Sequence, residues 1–543
     1  MAAKRLLTLD ELEAASLRQS EILPPSAIKP EAVRINPSFD TSFIDEVKAE
    51  AETLLKKQFE VKSNSDVLSV LLDDVMPTVF QEIVYPEVVE LRQRMSKEAD
   101  VEEREKIASL IKQFRVTDRQ RYVVIIEELL RLATARQWGI CKNGTFVYLF
   151  NGAFWNELDK EVLQKFLGDS AERMGMPKYD ARQYVIRENL FKQFLATGFQ
   201  AMPENNDKIL VNLKNGTFEI NGKGNGELRP TDKTNFLKYQ LPFEYDPDAK
   251  CPIFEKYLSV SLPDKSAQDV LAEYIGYVFA PNLKLEKTLF LYGSGANGKS
   301  VFFEIISALL GTQNVSSYSI DNLCEQNGYY RAMISNKLLN YSSEIGKRFE
   351  VDKFKQLCSG EPVEARLPYG EPFQIRNYAR LVFNANQLPK DIEQTTAYFR
   401  RFLIIPFSET IPHERQDIEL SKKIIDNELS GVFNWVLRGL DRIVKQKAFS
   451  RCDAAAKELE QYRRESDSVE MFIDENNYQK SGSNNKSLKE FYSEYRNYCI
   501  EAGNKTCSLK TFSHRLRDKG FEISRITTGM IVYIENKRID DPF

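Results

Sequence analysis

The chain has 543 residues, which at roughly 150 residues per domain anticipates three to four domains. Its formal net charge is −4, so a nucleic-acid-binding surface would have to be local. Seven cysteines form no C-x-x-C pair and only two histidines occur, His413 and His514, which speaks against a zinc module, a disulfide framework, a histidine–metal cluster and a Ser–His–Asp triad.

In chain order, residues 1–135 read as a charged helical N-terminal region. Pro24, Pro25, Pro30 and Pro37 break its start into an extended arm, and amphipathic periodicity predicts helices at Val88–Met95, Val101–Phe114 and Tyr122–Ala135. The opening MAAKRLLTLDELEAAS lacks an apolar core with a small-residue cleavage site, and the apolar stretches fall short of the ~20 residues of a spanning helix, so a cytoplasmic protein without membrane segments is expected. Residues 136–250 change character. Asn143-Gly144, Asn151-Gly152 and Asn215-Gly216 between β-branched and aromatic runs predict hairpins around a helical stretch at 160–199, and PFEYDPDAKCP reads as a linker.

Residues 251–465 alternate strands (Thr288–Tyr292, Leu338–Ser342, Arg380–Asn384, Phe402–Ile405) with helices, the pattern of a parallel-sheet α/β core. A helical lid, Ile418–Asn427 and Val432–Gln446, follows, and Ala454–Arg464 with the polar segment Tyr478–Asn485 reads as the next boundary. Residues 466–543 begin with a polar segment, QKSGSNNK, that reads as a flexible linker. A helix capped by Ser487 with Glu490 in a capping box, a second from Ser508 to Gly520 and a hairpin around Gly529 complete the outline of a winged helix-turn-helix.

The sharpest motif is G-x-x-x-x-G-K-S, entered by an apolar strand and left by an apolar-periodic helix. Its residues Gly293, Ser294, Gly295, Ala296, Asn297, Gly298, Lys299, Ser300 and Val301 are the candidate nucleotide-binding set. Glycines let backbone N–H groups turn inward around a phosphate, Lys299 would reach the β- and γ-phosphates of ATP, and Ser300 would ligate Mg²⁺. Glu344, at the end of the next apolar strand, stands where an NTPase places the carboxylate that orients the attacking water, with Ser343 in place of the usual preceding aspartate. Asn386 ends another strand and is suited to hold that water or sense the γ-phosphate. Arg400 and Arg401 precede the last strand.

Taken with LVNLKNGTFEI, NYSSE, FKQLCSGEPVEARLPYGEPFQI, LVFNANQLP, YFRRFLIIPF and the terminal SLKEFYSEYRNYC…SLKTFSHRLRDKGFE, these motifs resemble the superfamily three replicative helicases of the AAA+ class. More closely they resemble the primase–helicases of phages, satellite phages, plasmids and mobile genomic islands, over residues 140–543 and in the family's order. The resemblance implies an α/β multidomain chain: a helical N-terminal region, an α+β pre-helicase domain, an AAA+ core and a winged helix. It implies Arg401 as the arginine finger offered to a neighbouring subunit, with Arg400 as its understudy, and therefore a hexameric ring.

It also implies a DNA-touching hairpin with Arg366 and Tyr369 near its tip and Lys355 nearby. On the winged helix, Lys510, Arg515, Arg517 and Lys519 are the candidate DNA contacts. Asp73-Asp74 sits in a helical context, and no catalytic primase is read. The reading is an ATP-dependent DNA helicase acting on single-stranded and forked or origin DNA in replication of a mobile element. The rivals are an origin-binding initiator that melts DNA without processive unwinding, and a non-replicative NTPase switch whose winged domain binds protein.

Overall fold

The computed structural model of the chain describes residues 62–201, 208–221, 226–343, 345, 349–389 and 394–536; the proline-broken arm expected near the start lies outside them. Among the described residues five helices come first, α1 (Asn64–Asp74), α2 (Phe80–Val84), α3 (Glu87–Lys97), α4 (Val101–Gln113) and α5 (Asp118–Ala135). Capping boxes at Ser63 and Thr117 start α1 and α5 by satisfying N–H groups that the first turn leaves open. A three-stranded antiparallel meander follows, β1 (Gly139–Asn143), β2 (Phe146–Phe150) and β3 (Trp155–Glu157), and then α6 (Lys160–Arg173), α7 (Lys178–Ala181) and α8 (Tyr184–Thr197). Gly144 takes a positive φ of 57° in the β1–β2 turn, and Asn151 Oδ1 accepts from the N–H groups of Ala153 and Phe154 to shape the next one. Val67, Leu71, Ile125, Leu149, Leu163 and Leu190 share one core, so the helices continue into the meander without a break at residue 135.

The second meander, β4 (Ile209–Leu213), β5 (Gly216–Ile220) and β6 (Gly226–Arg229), belongs to a different core. Its Val211, Leu213, Phe218 and Ile220 are buried with the helices of the parallel-sheet lobe. The expected linker at 242–252 is strapped down. Asn215 Nδ2 donates to Tyr245 O at 2.9 Å, and Asn434 Nδ2 donates to Asp246 O at 2.9 Å and Ala249 O at 3.0 Å.

The lobe comprises α9 (Pro252–Ser261), α10 (Lys265–Tyr277), β7 (Thr288–Tyr292), α11 (Lys299–Leu310), β8 (Val315–Ser316), α12 (Ile320–Leu323), α13 (Tyr329–Met333), β9 (Leu339–Ser342), α14 (Val351–Ser359), β10 (Val363–Arg366), β11 (Pro372–Ile375), β12 (Arg380–Ala385), α15 (Thr396–Phe399) and β13 (Phe402–Pro406). Five strands form one parallel sheet in the order β13-β7-β12-β9-β8. β10 and β11 form a separate antiparallel hairpin. The two helices expected between 418 and 446 are one 27-residue helix, α16 (Leu420–Gln446). Gly431 does not break it. The missing side chain lets α16 lie directly on the Lys250–Cys251 backbone, as Gly439 does on Ala272 and Glu273 of α10.

The chain ends with α17 (Asp453–Glu465), α18 (Ser468–Glu475), β14 (Tyr478–Ser487), α19 (Leu488–Glu501), α20 (Leu509–Asp518), β15 (Ile523–Ile526) and β16 (Gly529–Asn536). Val469, Phe472, Phe491, Tyr495, Phe512, Leu516 and Val532 give this module its own core. The segment read as a flexible linker is instead β14, a ten-residue strand paired with β16 and bulged between Lys480 and Asn485. It is polar because most of it stays exposed while its backbone completes the ladder. Ser487 makes no side-chain cap bond, since it also ends β14 opposite Ile531, whereas Ser508 Oγ accepts from Thr511 N at 3.2 Å as expected.

A partly buried polar seam joins the first meander to the parallel-sheet lobe. Lys238 Nζ donates to Tyr148 Oη and to Asn336 Oδ1, both at 2.9 Å, and Asn336 Nδ2 donates to Glu157 Oε2 at 3.0 Å. Burial lowers the Lys238 ammonium to about 8 and raises Glu157 above the usual carboxylate range. Below pH 8 both folded and unfolded chains hold the lysine proton. From pH 8 toward 10.5 the unfolded chain holds more of it, so this group makes folding more favourable as pH rises. Urea titrations should therefore show the wild type gaining about 2 kcal/mol on Lys238→Met between pH 7.5 and 10. A pH-independent difference would remove the buried ammonium from the account.

Candidate functional site

In the parallel sheet the connection leaving β7 runs through α11 to the edge strand β8, while the one leaving β12 runs through α15 to the opposite edge, β13. The crevice at the carboxyl ends of β7 and β12 is thus a topological switch point, where open α/β sheets bind ligands. The loop Gly293–Gly298 fills it. Gly295 and Gly298 take φ of 115° and 88°, and Ala296, at 50°, stands in a region that L side chains rarely adopt. A side chain at Gly298 would collide with Ser261 and Tyr257 of α9, so only glycine lets α11 start here.

The loop is fastened on three sides. Tyr257 Oη donates to Gly298 O at 2.8 Å, Gly293 N donates to Ala385 O at 3.0 Å, and Asn297 Nδ2 donates to Phe407 O at 2.9 Å. Ile411 N donates to Ala296 O at 2.8 Å. The Lys299 ammonium turns back into the loop, 2.8 Å from Gly293 O and 3.0 Å from Asn297 Oδ1, and burial lowers its proton affinity. No side chain caps α11, so its first turn offers N–H groups and the positive end of the helix dipole to an anion.

A cavity of roughly 760 Å³ opens over this loop. Tyr257, Val301, Ile411, Ile418 and Leu420 give it apolar walls, while Ser300, Glu304, Ser343, Asn384, Asn386, Arg415 and Asp417 bring polar groups. A nucleoside triphosphate fits such a site in size and chemistry. Among the described residues no group of three or more His, Cys, Asp or Glu could hold a metal.

Glu344 lies outside the described residues; Ser343 and Ile345, on either side of it in sequence, line the cavity. Asn386 is exposed at the cavity, and Asn384 beside it is the better held of the two, accepting from Tyr341 Oη of β9 at 3.0 Å. Arg415 is a cavity-lining cation that sequence reasoning passed over. It comes from a short turn, His413–Arg415, in a segment without periodicity, and only its position after the last strand hints at it.

The arginine pair divides. The Arg401 side chain is buried, donating through Nε to Lys355 O at 3.2 Å, through Nη2 to Ser359 Oγ at 3.0 Å, and to Ala397 O. Arg400 is 57% exposed in its side chain, and pairs with Glu286 at 2.7 Å. Neither lines the cavity.

On the β10–β11 hairpin Tyr369 stands fully exposed at a φ of 59°. Arg366 Nε donates to Gly370 O at 2.8 Å and so braces the tip. Lys355 is only 18% exposed in its side chain and lies 3.4 Å from Asp352. The four C-terminal cations split as well. Arg515 bonds Asp467 at 3.0 Å, and Lys519 reaches Asp467 at 3.2 Å and Glu470 at 2.6 Å, so both bind α20 to the start of α18. Lys510 and Arg517 face solvent.

Residues 125–262 match a family model described as D5 N terminal like, and residues 291–401 match one described as a family of unknown function, DUF5906. A protein of Acanthamoeba polyphaga mimivirus named as a putative helicase is 24% identical over 237 residues, which cover 41% of this chain and 24% of that protein. The chain therefore spans about a quarter of that relative's length. Among solved structures, an apo structure of the NrS-1 C-terminal region superposes with a TM-score of 0.45 at 13% identity, covering 75% of this chain and 98% of that one. An A-form apo structure of the same region gives 0.43 at 12% identity, with the same coverage. Among the described residues no helix is long and apolar enough to cross a membrane.

Proposed function

We propose that this chain is an ATP-dependent DNA helicase of the superfamily three, AAA+ type, working as a hexameric ring in the replication of a phage, plasmid or mobile genomic island. The observation that carries the reading is the phosphate loop at the switch point, with the buried Lys299 ammonium held against its own loop carbonyls. The relative named as a putative helicase and the D5 N-terminal-like match support a viral replicative role.

In this reading Lys299 exchanges its loop contacts for phosphate oxygens, and the first turn of α11 holds the rest of the triphosphate. The Ser300 hydroxyl would help hold a Mg²⁺, which would supply positive charge against the phosphates. Glu344 orients the attacking water, and Asn384 and Asn386 sense the γ-phosphate. Arg415 contacts the nucleotide of its own subunit. Arg415→Ala should raise the KM for ATP about tenfold with little change in kcat, the mark of a uniform binding contact. A steady-state titration checks it, and an unchanged KM takes Arg415 out of the site.

The finger passed to the next subunit is Arg400, because Arg401 already spends its donors on the fold. Tyr369 stacks on a base at the hairpin tip, with Arg366 as the brace of that tip and Lys355 at most a supporting charge. The C-terminal module acts as a winged helix-turn-helix whose phosphate contacts are Lys510 and Arg517, while Arg515 and Lys519 are structural.

Strand displacement on forked DNA tests the proposal, with ATP, 3′- and 5′-tailed substrates, and Lys299→Ala beside the wild type. Unwinding that needs both ATP and Lys299 is the expected result. ATPase stimulated by DNA without unwinding on any substrate would shift the reading to the origin-binding initiator, which the solvent-facing Lys510 and Arg517 also suit.

A further inference from the structure

A second cavity, of roughly 380 Å³, lies at the other end of the parallel sheet, where β7, β9 and β12 begin. Its walls come from β4, the strap Asn235–Tyr239, the turn after α10, the end of α14 and the base of the β10–β11 hairpin. Six cations line it, Lys208, Lys238, Lys287, Lys337, Arg376 and Arg380, with no Asp or Glu among the lining residues. In a chain of net charge −4 this is a marked local excess.

Several of these cations are held by carbonyls, which leave their charge standing, and the carboxylates near Lys208, Lys238 and Lys337 lie outside the lining. Lys287 Nζ donates to Arg400 O at 2.6 Å, Lys337 Nζ to Gln313 O at 2.6 Å, and Arg380 Nη2 to Ala280 O at 3.2 Å and Leu283 O at 3.1 Å. Carbonyls satisfy hydrogen bonds but do not neutralise ammonium or guanidinium groups. Lys208 has a carboxylate, Glu219 at 2.7 Å, which lies outside the cavity lining. Burial lowers the proton affinity of Lys238 and Lys287; the carboxylate nearest Lys238, Glu157, acts against that shift and, like Glu219, lies outside the cavity lining. Phe236, Tyr239, Phe279 and Tyr378 are also among the lining residues, aromatic edges and faces against which a base can pack. The volume falls in the range of small-ligand sites.

We propose that this cavity is a second nucleotide site, separate from the phosphate loop, which binds a phosphate against its lysines and Arg376 and the attached base against its aromatic wall. Two sources share that chemistry: a free nucleoside phosphate, or one nucleotide of a single strand. The site goes beyond the helicase reading and does not depend on it. Its occupant bears on two functional segments at once, because Lys287 holds the carbonyl of Arg400 and Arg376 directly follows β11 of the hairpin.

The test uses the full chain carrying Lys299→Ala, which silences the phosphate loop. Trinitrophenyl-ATP and a fluorescein-labelled hexathymidylate are titrated separately, by fluorescence and by anisotropy. Arg376→Glu should weaken at least one probe about tenfold or more, and Lys337→Gln should weaken the same probe. Loss confined to trinitrophenyl-ATP assigns the free nucleotide, and loss confined to the oligonucleotide assigns the strand. With Lys299 intact, Arg376→Glu should still bind trinitrophenyl-ATP at the phosphate loop, which shows that it folds. If Lys299→Ala protein binds neither probe, or if Arg376→Glu changes both by less than about twofold, the second site is overturned.

Discussion

Lys299→Ala is expected to leave a folded protein whose ATP hydrolysis has fallen about 10³-fold, with strand displacement gone. The two halves of this result have separate causes. In the ligand-free chain Lys299 is an internal cation, 2.8 Å from Gly293 O and 3.0 Å from Asn297 Oδ1. Removing it strands Asn297 Oδ1, at a cost of about 1–3 kcal/mol, but also relieves the chain of a desolvated ammonium. These effects oppose each other. Asn297 keeps its bond to Phe407 O, and Tyr257 keeps Gly298, so the loop retains its fastenings. The melting temperature should move by only a few degrees. Catalysis has no such compensation, because alanine supplies neither charge nor donor to the β- and γ-phosphates. Phosphate release and a thermal melt on the same preparation check both halves. Hydrolysis within tenfold of the wild type would sink the assignment of Lys299.

The neighbouring arginines should part company. Arg400→Ala removes an exposed side chain whose one ion pair, with Glu286 at 2.7 Å, is worth little in solvent. Its stability should stay near that of the wild type while ring ATPase falls about 10³-fold or more, the scale of a lost arginine finger. Mixing Arg400→Ala with Lys299→Ala subunits should restore part of the activity, since some interfaces then join an intact finger to an intact phosphate loop. Arg401→Ala should instead destabilise the lobe by about 1–3 kcal/mol, the cost of buried hydrogen bonds left unmade. Its guanidinium joins α14 to α15 through Lys355 O, Ser359 Oγ and Ala397 O, and alanine would remove that link and its donor to Ala397 O, although Ser359 Oγ still donates to Lys355 O. Urea titration and mixed-subunit ATPase separate the two variants. Full activity in Arg400→Ala, or no rescue on mixing, would end the case for Arg400 acting in trans.

What could be read from the sequence follows from how local each signal is. β7 and β13 stand out as short apolar runs between turn residues because both are largely buried, β7 inside the sheet and β13 at an edge that α17 covers. The phosphate loop stands out because its glycines answer to backbone geometry rather than to distant partners. β14 did not, for its polar residues satisfy a ladder with β16 that forms only in three dimensions. The split among the C-terminal cations was half legible. Arg515 and Lys519 flank the apolar stripe of Phe512 and Leu516, with Lys510 and Arg517 across the helix, but their partner Asp467 lies on another helix. The burial of Arg401 and the six-cation cavity depend on segments far apart in the chain, where no spacing rule reaches.

The strand order also sets a timetable for synthesis. β7 lies between β12 and β13, both of which are made long after it, and pairs with β13 more than a hundred residues downstream. The residues that clamp the phosphate loop, Phe407 and Ile411, come later still. At ribosomal rates of roughly 5–20 residues per second, the loop waits on the order of ten seconds between its synthesis and the arrival of its clamps. For most of that interval an apolar strand is without either neighbour. A nascent chain stalled before β13 would offer chaperones the one edge of β7 that β12 does not cover.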